Sequence, residues 1–273
     1  MRIRTRVAIA VGLLGLGTIA PADNAALTSG GLPRMMSGHP TISMVSEVVK
    51  VVVHGKRVDT DCTFVFDNLG NACTVNMGFP DFGMWAYDYV HQKPKSIFKS
   101  FQSYVDGKRV ATRLVLGADK REQWQTKLVS FEKDGSRVVR EVYSTELGGA
   151  AASIDVGAAS YVLHTGASWK GGIGKATVRF EFAPETEVVG PLDVKNISGM
   201  QKLTEKDLAH VLKPGGVIVV GPGNPTVHGA SLVFEKSHWK PTTDDDILIL
   251  FKYPSKVLQE DRKKAKELMK GSG

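Results

Sequence analysis

Residues 160–182, SYVLHTGASWKGGIGKATVRFEF, predict a strand, a turn and a second strand. Apolar residues alternate at its start, glycines interrupt the pattern at 171–174, and β-branched and aromatic residues resume at 177–182. Trp169 lies inside the interruption. A tryptophan among glycines is typical of an anchor, because its ring buries a large apolar area while its indole N–H bonds a nearby acceptor. We therefore interpret Trp169 as a structural residue.

The first 22 residues have the three-part layout of a secretory signal peptide. Three arginines precede an apolar run over 7–20, and small residues precede Asp23. The run is shorter than the roughly 20 apolar residues that a transmembrane helix needs. The sequence therefore predicts export, cleavage before Asp23, a secreted or periplasmic location, and no transmembrane segment after signal removal.

Composition is that of a folded domain, with 42% apolar and 23% charged residues. Removal of residues 1–22 lowers the net charge from +7 to +4, with 32 basic and 28 acidic residues left. Much of this excess lies in 256–270, so the body of the chain is nearly neutral. A nucleic-acid partner is therefore not expected.

Hairpin signals follow an irregular lead-in over 23–41. The turns at His54–Arg57 and Asp67–Asn71 predict three antiparallel strands in sequence. Asp106-Gly107 and Asp134-Gly135 each lie between two β-rich runs, and glycine supplies the positive φ that such a turn needs. Two more antiparallel pairs are therefore expected.

The second half of the chain adds strands and a few helices. Small residues over 147–159 predict a linker or long loop, so 42–253 forms one β-rich domain or two sub-domains divided there. Thr204–Leu212 predicts a short capped helix, and 254–273 a C-terminal helix and tail. The predicted fold class is mainly β: an antiparallel, β-sandwich-like array of hairpins with one or two short helices and the C-terminal helix.

Cys62 and Cys73 are the two cysteines of the chain. They lie on consecutive β-rich runs, and an exported protein occupies an oxidising compartment. We therefore predict a disulfide between them, with an offset or bulge to bring the Cα atoms to about 4.4–6.8 Å. The alternative is a pair of buried thiols that pack as small apolar residues.

The sequence also resembles a known family. The residues that carry the resemblance are, in chain order, Gly30-Gly31-Leu32, ISMVSE at 42–47, Phe79-Pro80, Asp106-Gly107-Lys108, Phe131 with Gly135, YVLHTGASWKGGI at 161–173, Trp239-Lys240-Pro241 and DDDILIL at 244–250. It is similar in these to a family of exported bacterial proteins classed as a domain of unknown function. Gly172 stands where that family's pattern has proline. The resemblance implies export and architecture and carries no chemistry with it.

Chemical motifs give few candidates. Gly171–Lys175 lacks the glycine, the Ser/Thr and the following helix of a phosphate loop. Asp244–Asp246 is interpreted as a turn, with part of a calcium site as the alternative. His228 and His238 could meet across a hairpin as zinc ligands. We assign no catalytic, cofactor or metal residue and expect no cofactor.

Three function classes are compatible with these features. The favoured class is an interaction or structural module of the cell envelope, whose loops bind an envelope protein or a surface polymer. The second is a hydrolase with a loop site near Asp244–Asp246 and His238. The third is a small-ligand carrier with a cleft lined by Trp85, Trp124 and Trp169, which are otherwise structural or recognition candidates.

Overall fold

The computed structural model describes residues 25–26, 28–36, 40–83, 87–88, 91, 93–117, 122–150, 153–184, 186, 217–228 and 231–252. Several predictions fall outside these residues, namely the signal peptide, Trp85, the helix over Thr204–Leu212 and the C-terminal helix over 254–273. The described part is built mainly of strands, which confirms the predicted fold class. Its helical segments are two short 3₁₀ turns, η1 (His164–Ser168) and η2 (Thr243–Asp245). Within the described ranges, no helix has the length and apolarity to cross a membrane.

In chain order the strands are β1 (Ala25–Ala26), β2 (Thr28–Ser29), β3 (Arg34–Met35), β4 (Ile42–His54), β5 (Arg57–Asn68), β6 (Cys73–Pro80), β7 (Phe82–Gly83), β8 (Tyr87–Asp88), β9 (Lys93–Pro94), β10 (Ser100–Val105), β11 (Lys108–Val110), β12 (Arg113–Leu116), β13 (Gln123–Phe131), β14 (Ser136–Glu146), β15 (Gly148–Ala150), β16 (Ser153–Tyr161), β17 (Ile173–Phe182), β18 (Val217–Val220), β19 (Thr226–His228), β20 (Ser231–Trp239) and β21 (Ile247–Lys252).

An eight-stranded sheet organises the fold, in the order β11-β10-β14-β5-β4-β17-β20-β19. Its pairs are antiparallel except β4 and β17, which run parallel. On β4, buried residues alternate with exposed ones, as on a strand with one solvated face. A register shift between Met44 and Ser46 makes Val45 a bulge near the start of the strand.

Two smaller sheets cover the apolar face of the large one. The four-stranded sheet has the order β12-β13-β6-β3, and the five-stranded sheet β1-β15-β16-β21-β18. Phe79 of the first contacts Tyr143 of the large sheet at 5.3 Å between ring centroids, and Phe251 of the second contacts Phe182 at the same distance. Buried side chains of all three sheets form one hydrophobic cluster.

Two predicted turns are hairpins, and two are not. The turns after β4 and β10 join strands that pair directly. The Asp134-Gly135 turn instead joins β13 to β14 in a different sheet. Asp134 has a φ of 51°, but Gly135 lacks the positive φ that was expected of it and that Gly107 has. Likewise β6 leaves β5 for the four-stranded sheet. The predicted pairings were wrong because other strands offer long partners: β14 pairs with β5 over eleven residues and β13 with β6 over eight.

Asn68 holds these two connections side by side. Its side-chain amide donates to the carbonyls of Gly70, Asn71 and Glu132 at 3.2, 2.7 and 2.9 Å. Its backbone N–H donates to the Gly135 carbonyl at 2.8 Å. The residue is buried, so these bonds satisfy carbonyls at the corner where the chain passes between sheets.

Two stretches are more ordered than the sequence predicts. Residues 148–150 and 153–161 form β15 and β16, where we expected a linker or loop. The lead-in contains β1, β2 and β3, and Leu32 within it is fully buried. In both stretches tertiary pairing supplies the order that small residues do not supply locally.

The predicted disulfide is not formed. Cys62 is a buried free thiol on β5, whereas Cys73 is a partly exposed free thiol on β6. Cys73 lies opposite Phe131 and Cys62 opposite Glu141 and Val49, so each cysteine faces partners within its own sheet. The prediction failed because it placed β5 and β6 side by side.

Candidate functional site

The lead-in is tied to the segment that follows β16. The Leu32 N–H donates to the Val162 carbonyl at 2.8 Å, and the Val162 N–H donates to the Gly30 carbonyl at 3.1 Å. The Thr165 hydroxyl donates to the Leu32 carbonyl at 2.7 Å. Residues 30–32 are therefore in direct contact with residues 162–165.

Asp246 joins the start of β21 to the same place. One carboxylate oxygen accepts the backbone N–H groups of Leu163 and His164 at 2.7 and 2.9 Å. The other lies 2.7 Å from Nδ1 of His164. The carboxylate thus binds N–H groups where η1 begins and fixes the orientation of the imidazole.

The pair of His164 and Asp246 has the geometry of an oriented base. With Nδ1 directed at the carboxylate, Nε2 is left for another partner, and the imidazole is about one-third exposed. Such an arrangement suits general-base catalysis when a nucleophile is within reach. In the part of the chain that the structure describes, no hydroxyl or thiol bonds Nε2 of His164.

Trp169 is buried at the base of this junction. Its Nε1–H donates to the Pro33 carbonyl at 2.7 Å, and its ring lies 4.5 Å from that of Phe66. The Met35 N–H donates to the Ser168 hydroxyl at 3.0 Å beside it. These contacts are those of a structural anchor, which holds the lead-in and the glycine turn against the core.

Trp124 is buried elsewhere. Trp124 shares a face of β13 with Leu128, which is exposed. The ring of Phe82 packs edge-on against the Trp124 ring, with 4.8 Å between centroids, and Cζ of Arg34 lies 5.5 Å from the Trp124 ring centroid. Trp124 and Trp169 therefore hold neighbouring residues of the lead-in from separate places. The carrier interpretation placed both rings in one cleft, whereas each is buried against different partners.

A groove lies beside the glycine turn, at the ends of β4, β17 and β20. It has a volume of about 440 Å³ and is lined by Ser43, Met44, Val45, the turn residues 170–175, Ser237 and His238. The strands are irregular at this place. Gly174 of β17 is skipped in the pairing with both β4 and β20, Val45 forms the bulge of β4, and His238 of β20 has φ 53°. We call this site the basic groove, because Lys170, Lys175 and His238 line it and no acid does.

Gly172 permits the turn to form the groove. Its φ is 81°, a conformation that side chains rarely adopt, and a Cβ there would lie 2.3 Å from the Trp239 carbonyl oxygen. Proline at this position would fix φ near −65°. The turn of this chain therefore depends on glycine, and the strand β17 after it excludes a phosphate loop.

The acidic run does not gather into a cation site. Asp245 bonds Lys236 at 2.7 Å and caps η2 through Thr242, whereas Asp246 bonds η1. Burial acts to raise the pKa of Asp245, but the hydrogen bonds from Lys236 and Thr242 outweigh it, so the pKa lies below its usual value. Within the described ranges, no three His, Cys, Asp or Glu side chains are placed to hold a metal.

The two histidines considered as zinc ligands do not meet. His228 lies opposite Ser231 at the start of β20, and His238 lies near the end of that strand. The hydrolase interpretation expected Asp244–Asp246 to lie near His238. Asp246 instead pairs with His164. The sequence offers one local signal for His164, which directly precedes the Thr165-Gly166 break. Its partner could not be found from the sequence, because Asp246 reaches His164 only through the pairing of β16 with β21, which sets Tyr161 opposite Ile247.

Glu47 is an unpaired carboxyl in the core. It points inward from β4, is 1% exposed, and neither of its carboxyl oxygens has a hydrogen-bond partner among the described residues. Burial raises the pKa of Glu47 well above its usual range, since the interior disfavours the charged form. Its protonated form is therefore favoured, and it is remote from solvent.

No family model matches the chain, and no curated protein matches its sequence. Among solved structures, the chain is similar to a Legionella pneumophila protein named a "putative nutrient binding protein". The TM-score is 0.60, with 21% identity over 84% of this chain and 73% of that one. A likeness at this identity shows a shared fold but does not show a shared function.

Weaker similarities involve peptidase-like enzymes. The M1 zinc metallopeptidase of Deinococcus radiodurans gives a TM-score of 0.36 and 10% identity over 78% of this chain and 43% of its own. The yeast LTA4 hydrolase gives 0.39 and 9% over 80% and 30%. The chain spans less than half of either enzyme.

Proposed function

We propose that this protein is an exported module of the cell envelope that binds an anionic surface polymer through the basic groove. The observation that carries the proposal is the lining of the groove, with exposed Lys170 and Lys175 beside His238 and no acid. Ammonium groups bind carboxylate and phosphodiester groups as compact point charges. The predicted signal peptide supports the location, and the family resemblance agrees with it.

The test compares a charge-removing double variant with a matched control. K170Q/K175Q removes two charges from the groove, and K108Q/K133Q removes two exposed charges that do not line it. Binding of the mature protein to poly-L-glutamate and to its own envelope fraction is measured by co-sedimentation at low and high salt. We expect about tenfold weaker binding for the groove variant, from up to about 1 kcal/mol for each exposed charge.

Salt dependence and the control decide the interpretation. Added salt should weaken binding of the wild type, because it screens exposed charges. The control should bind like the wild type. Equal loss in both double variants would indicate a net-charge effect and contradict the groove assignment, and wild-type binding by K170Q/K175Q would also contradict it.

A hydrolase is the second candidate, because His164 is oriented by Asp246. Comparison of H164A with H238A in hydrolysis of an activated ester tests it. Loss of activity in H164A alone would support this candidate, and equal rates in both variants and the wild type would argue against it.

A carrier function is suggested by the name of the Legionella protein. The carrier interpretation depended on a cleft lined by tryptophans, and Trp124 and Trp169 are instead buried against different partners.

A further inference from the structure

His238 is the imidazole in the lining of the basic groove. Lysine side chains are cationic throughout the physiological range, whereas a histidine gains or loses its charge between about pH 5 and 8. Lys170, Lys175 and His238 are the basic residues of the lining, and all three are exposed. A change of pH near neutrality therefore acts on the charge of this lining through its one imidazole.

The backbone holds His238 in an uncommon conformation. Its φ is 53°, and among the described residues other than glycine it shares a positive value with Asp106 and Asp134. Both aspartates lie in turns, whereas His238 lies within β20. Side chains rarely adopt a positive φ, and residues that are held there concentrate at functional sites. This backbone outlier therefore supports a functional role for His238.

The side chains that face His238 across the groove carry positive charge or none. Lys170 comes from the glycine turn and Lys175 from β17, and β4 contributes the uncharged residues 43–45. Lys240, which follows β20, is a further exposed cation whose backbone lies against the turn. In the part of the chain that the structure describes, no acid lines the groove. An imidazolium formed there therefore has no carboxylate counter-charge in the lining until an anionic ligand is bound.

The acids of β20 and η2 are engaged elsewhere or lie outside the lining. Asp245 bonds the Lys236 ammonium at 2.7 Å, and the Glu235 carboxylate accepts the Thr177 hydroxyl at 3.4 Å. Asp244 is exposed and does not line the groove. An anion from solution is therefore the expected counter-charge of the imidazolium.

Protonation of the imidazole and binding of a polyanion favour each other. A bound anionic group stabilises the imidazolium, and the imidazolium adds a third cation to the lining. Such coupling is reciprocal, so protonation tightens polymer binding by the same factor. We propose that proton uptake by His238 regulates the basic groove, which holds its anionic polymer more tightly in acidified surroundings and releases it as pH rises. This inference rests on the proposed function and adds pH as its control.

Co-sedimentation of the mature protein with dextran sulfate at about pH 5.5 and about pH 8 brackets the titration of a histidine. The sulfate esters of this probe stay ionised throughout, so a response to pH belongs to the protein. We expect wild-type binding to be roughly fivefold tighter at the lower pH, as one further exposed charge contact gives. H238N should bind at both pH values as weakly as the wild type does at the higher one.

Two further variants separate charge from structure. Asparagine tolerates a positive φ, so H238N should keep the backbone and melt like the wild type. H238K carries a fixed charge and should bind tightly at both pH values. H228N is the matched control, because His228 is exposed on β19 and does not line the groove. It should respond to pH like the wild type.

Calorimetry measures the proton directly. Titration with dextran sulfate near about pH 6.5, in two buffers of different ionisation enthalpy, reports the protons taken up on binding. The wild type should take up part of one proton for each bound groove, and H238N should take up none.

The outcomes distinguish this inference from the proposed function. Salt-sensitive binding of equal strength at both pH values would overturn the inference and leave the proposed function standing, whereas absence of binding at both would overturn the two together. A pH response that persists in H238N, or that disappears in H228N, would place the titrating group elsewhere and would also overturn the inference.

Discussion

Substitution of Trp169 tests whether the junction of the lead-in and η1 is held by this side chain. The ring is 2% exposed, packs on Phe66 and donates to the Pro33 carbonyl in a buried bond. Removal of a buried tryptophan side chain costs about 3–5 kcal/mol through lost contacts and a residual cavity. For a protein of this size, each kcal/mol lowers the melting temperature by about 2–4 °C. Trp169→Ala should therefore melt roughly 6–20 °C below the wild type.

A second substitution separates the hydrogen bond from the packing. Trp169→Phe keeps most of the ring contact but leaves the Pro33 carbonyl without its donor, at a cost of about 1–3 kcal/mol. Leu128→Ala is the control, because Leu128 is 73% exposed and its loss should change little. Thermal unfolding followed by near-UV circular dichroism gives all three values. If Trp169→Ala melts like Leu128→Ala while polymer binding is lost, Trp169 is a recognition residue and the anchor argument is wrong.

Three further predictions concern groups in or near the core. Replacing Glu47 with methionine should stabilise the protein above about pH 4.3, where the carboxyl ionises in the unfolded state while burial keeps its native pKa raised. In that range the native wild type binds more protons than the unfolded wild type, so the stability of the wild type falls as pH rises. The variant lacks this carboxyl and should therefore gain about 1.4 kcal/mol relative to the wild type per pH unit, up to the native pKa of Glu47. Urea titrations across pH measure this, and parallel pH profiles for both proteins would refute it. Alkylation without reducing agent should modify Cys73 in the native protein and Cys62 only after denaturation, giving two adducts by intact mass; absence of adducts after denaturation would show a bond after all. Gly172→Ala should lower stability by at least about 1 kcal/mol, because φ is positive and the Trp239 carbonyl is close, whereas Gly107→Ala, with positive φ and open space, reports the backbone term alone.

Local signals predicted the strands well, and pairing was the difficulty. Asp106-Gly107 and Asp134-Gly135 look alike in the sequence, and both have positive φ at the aspartate. Only Gly107 also has a positive φ, and only that turn closes a hairpin. A turn fixes the direction of a few residues, whereas the choice of partner depends on strands far away in the chain. The disulfide prediction failed for the same reason.

The candidate site was predicted in part. The sequence singled out Trp169, the glycine turn and the acidic run near Asp246 as unusual, and the structure places them around one junction. The role of His164 could not be read, because its partner lies 82 residues away and meets it only through the pairing of β16 with β21. Glu47 also escaped notice, since a bulge at Val45 turns it inward against the simple alternation.

The parallel pairing of β4 with β17 has a consequence for folding. β4 is thirteen residues long, and its second neighbour is more than 120 residues further along the chain. A nascent chain that ends before residue 182 therefore presents a long, valine-rich strand with one open edge, which is a template for association with other chains. Because loop closure over such a distance is slow, the chain should remain prone to aggregation until β17 has been synthesised and has paired with β4.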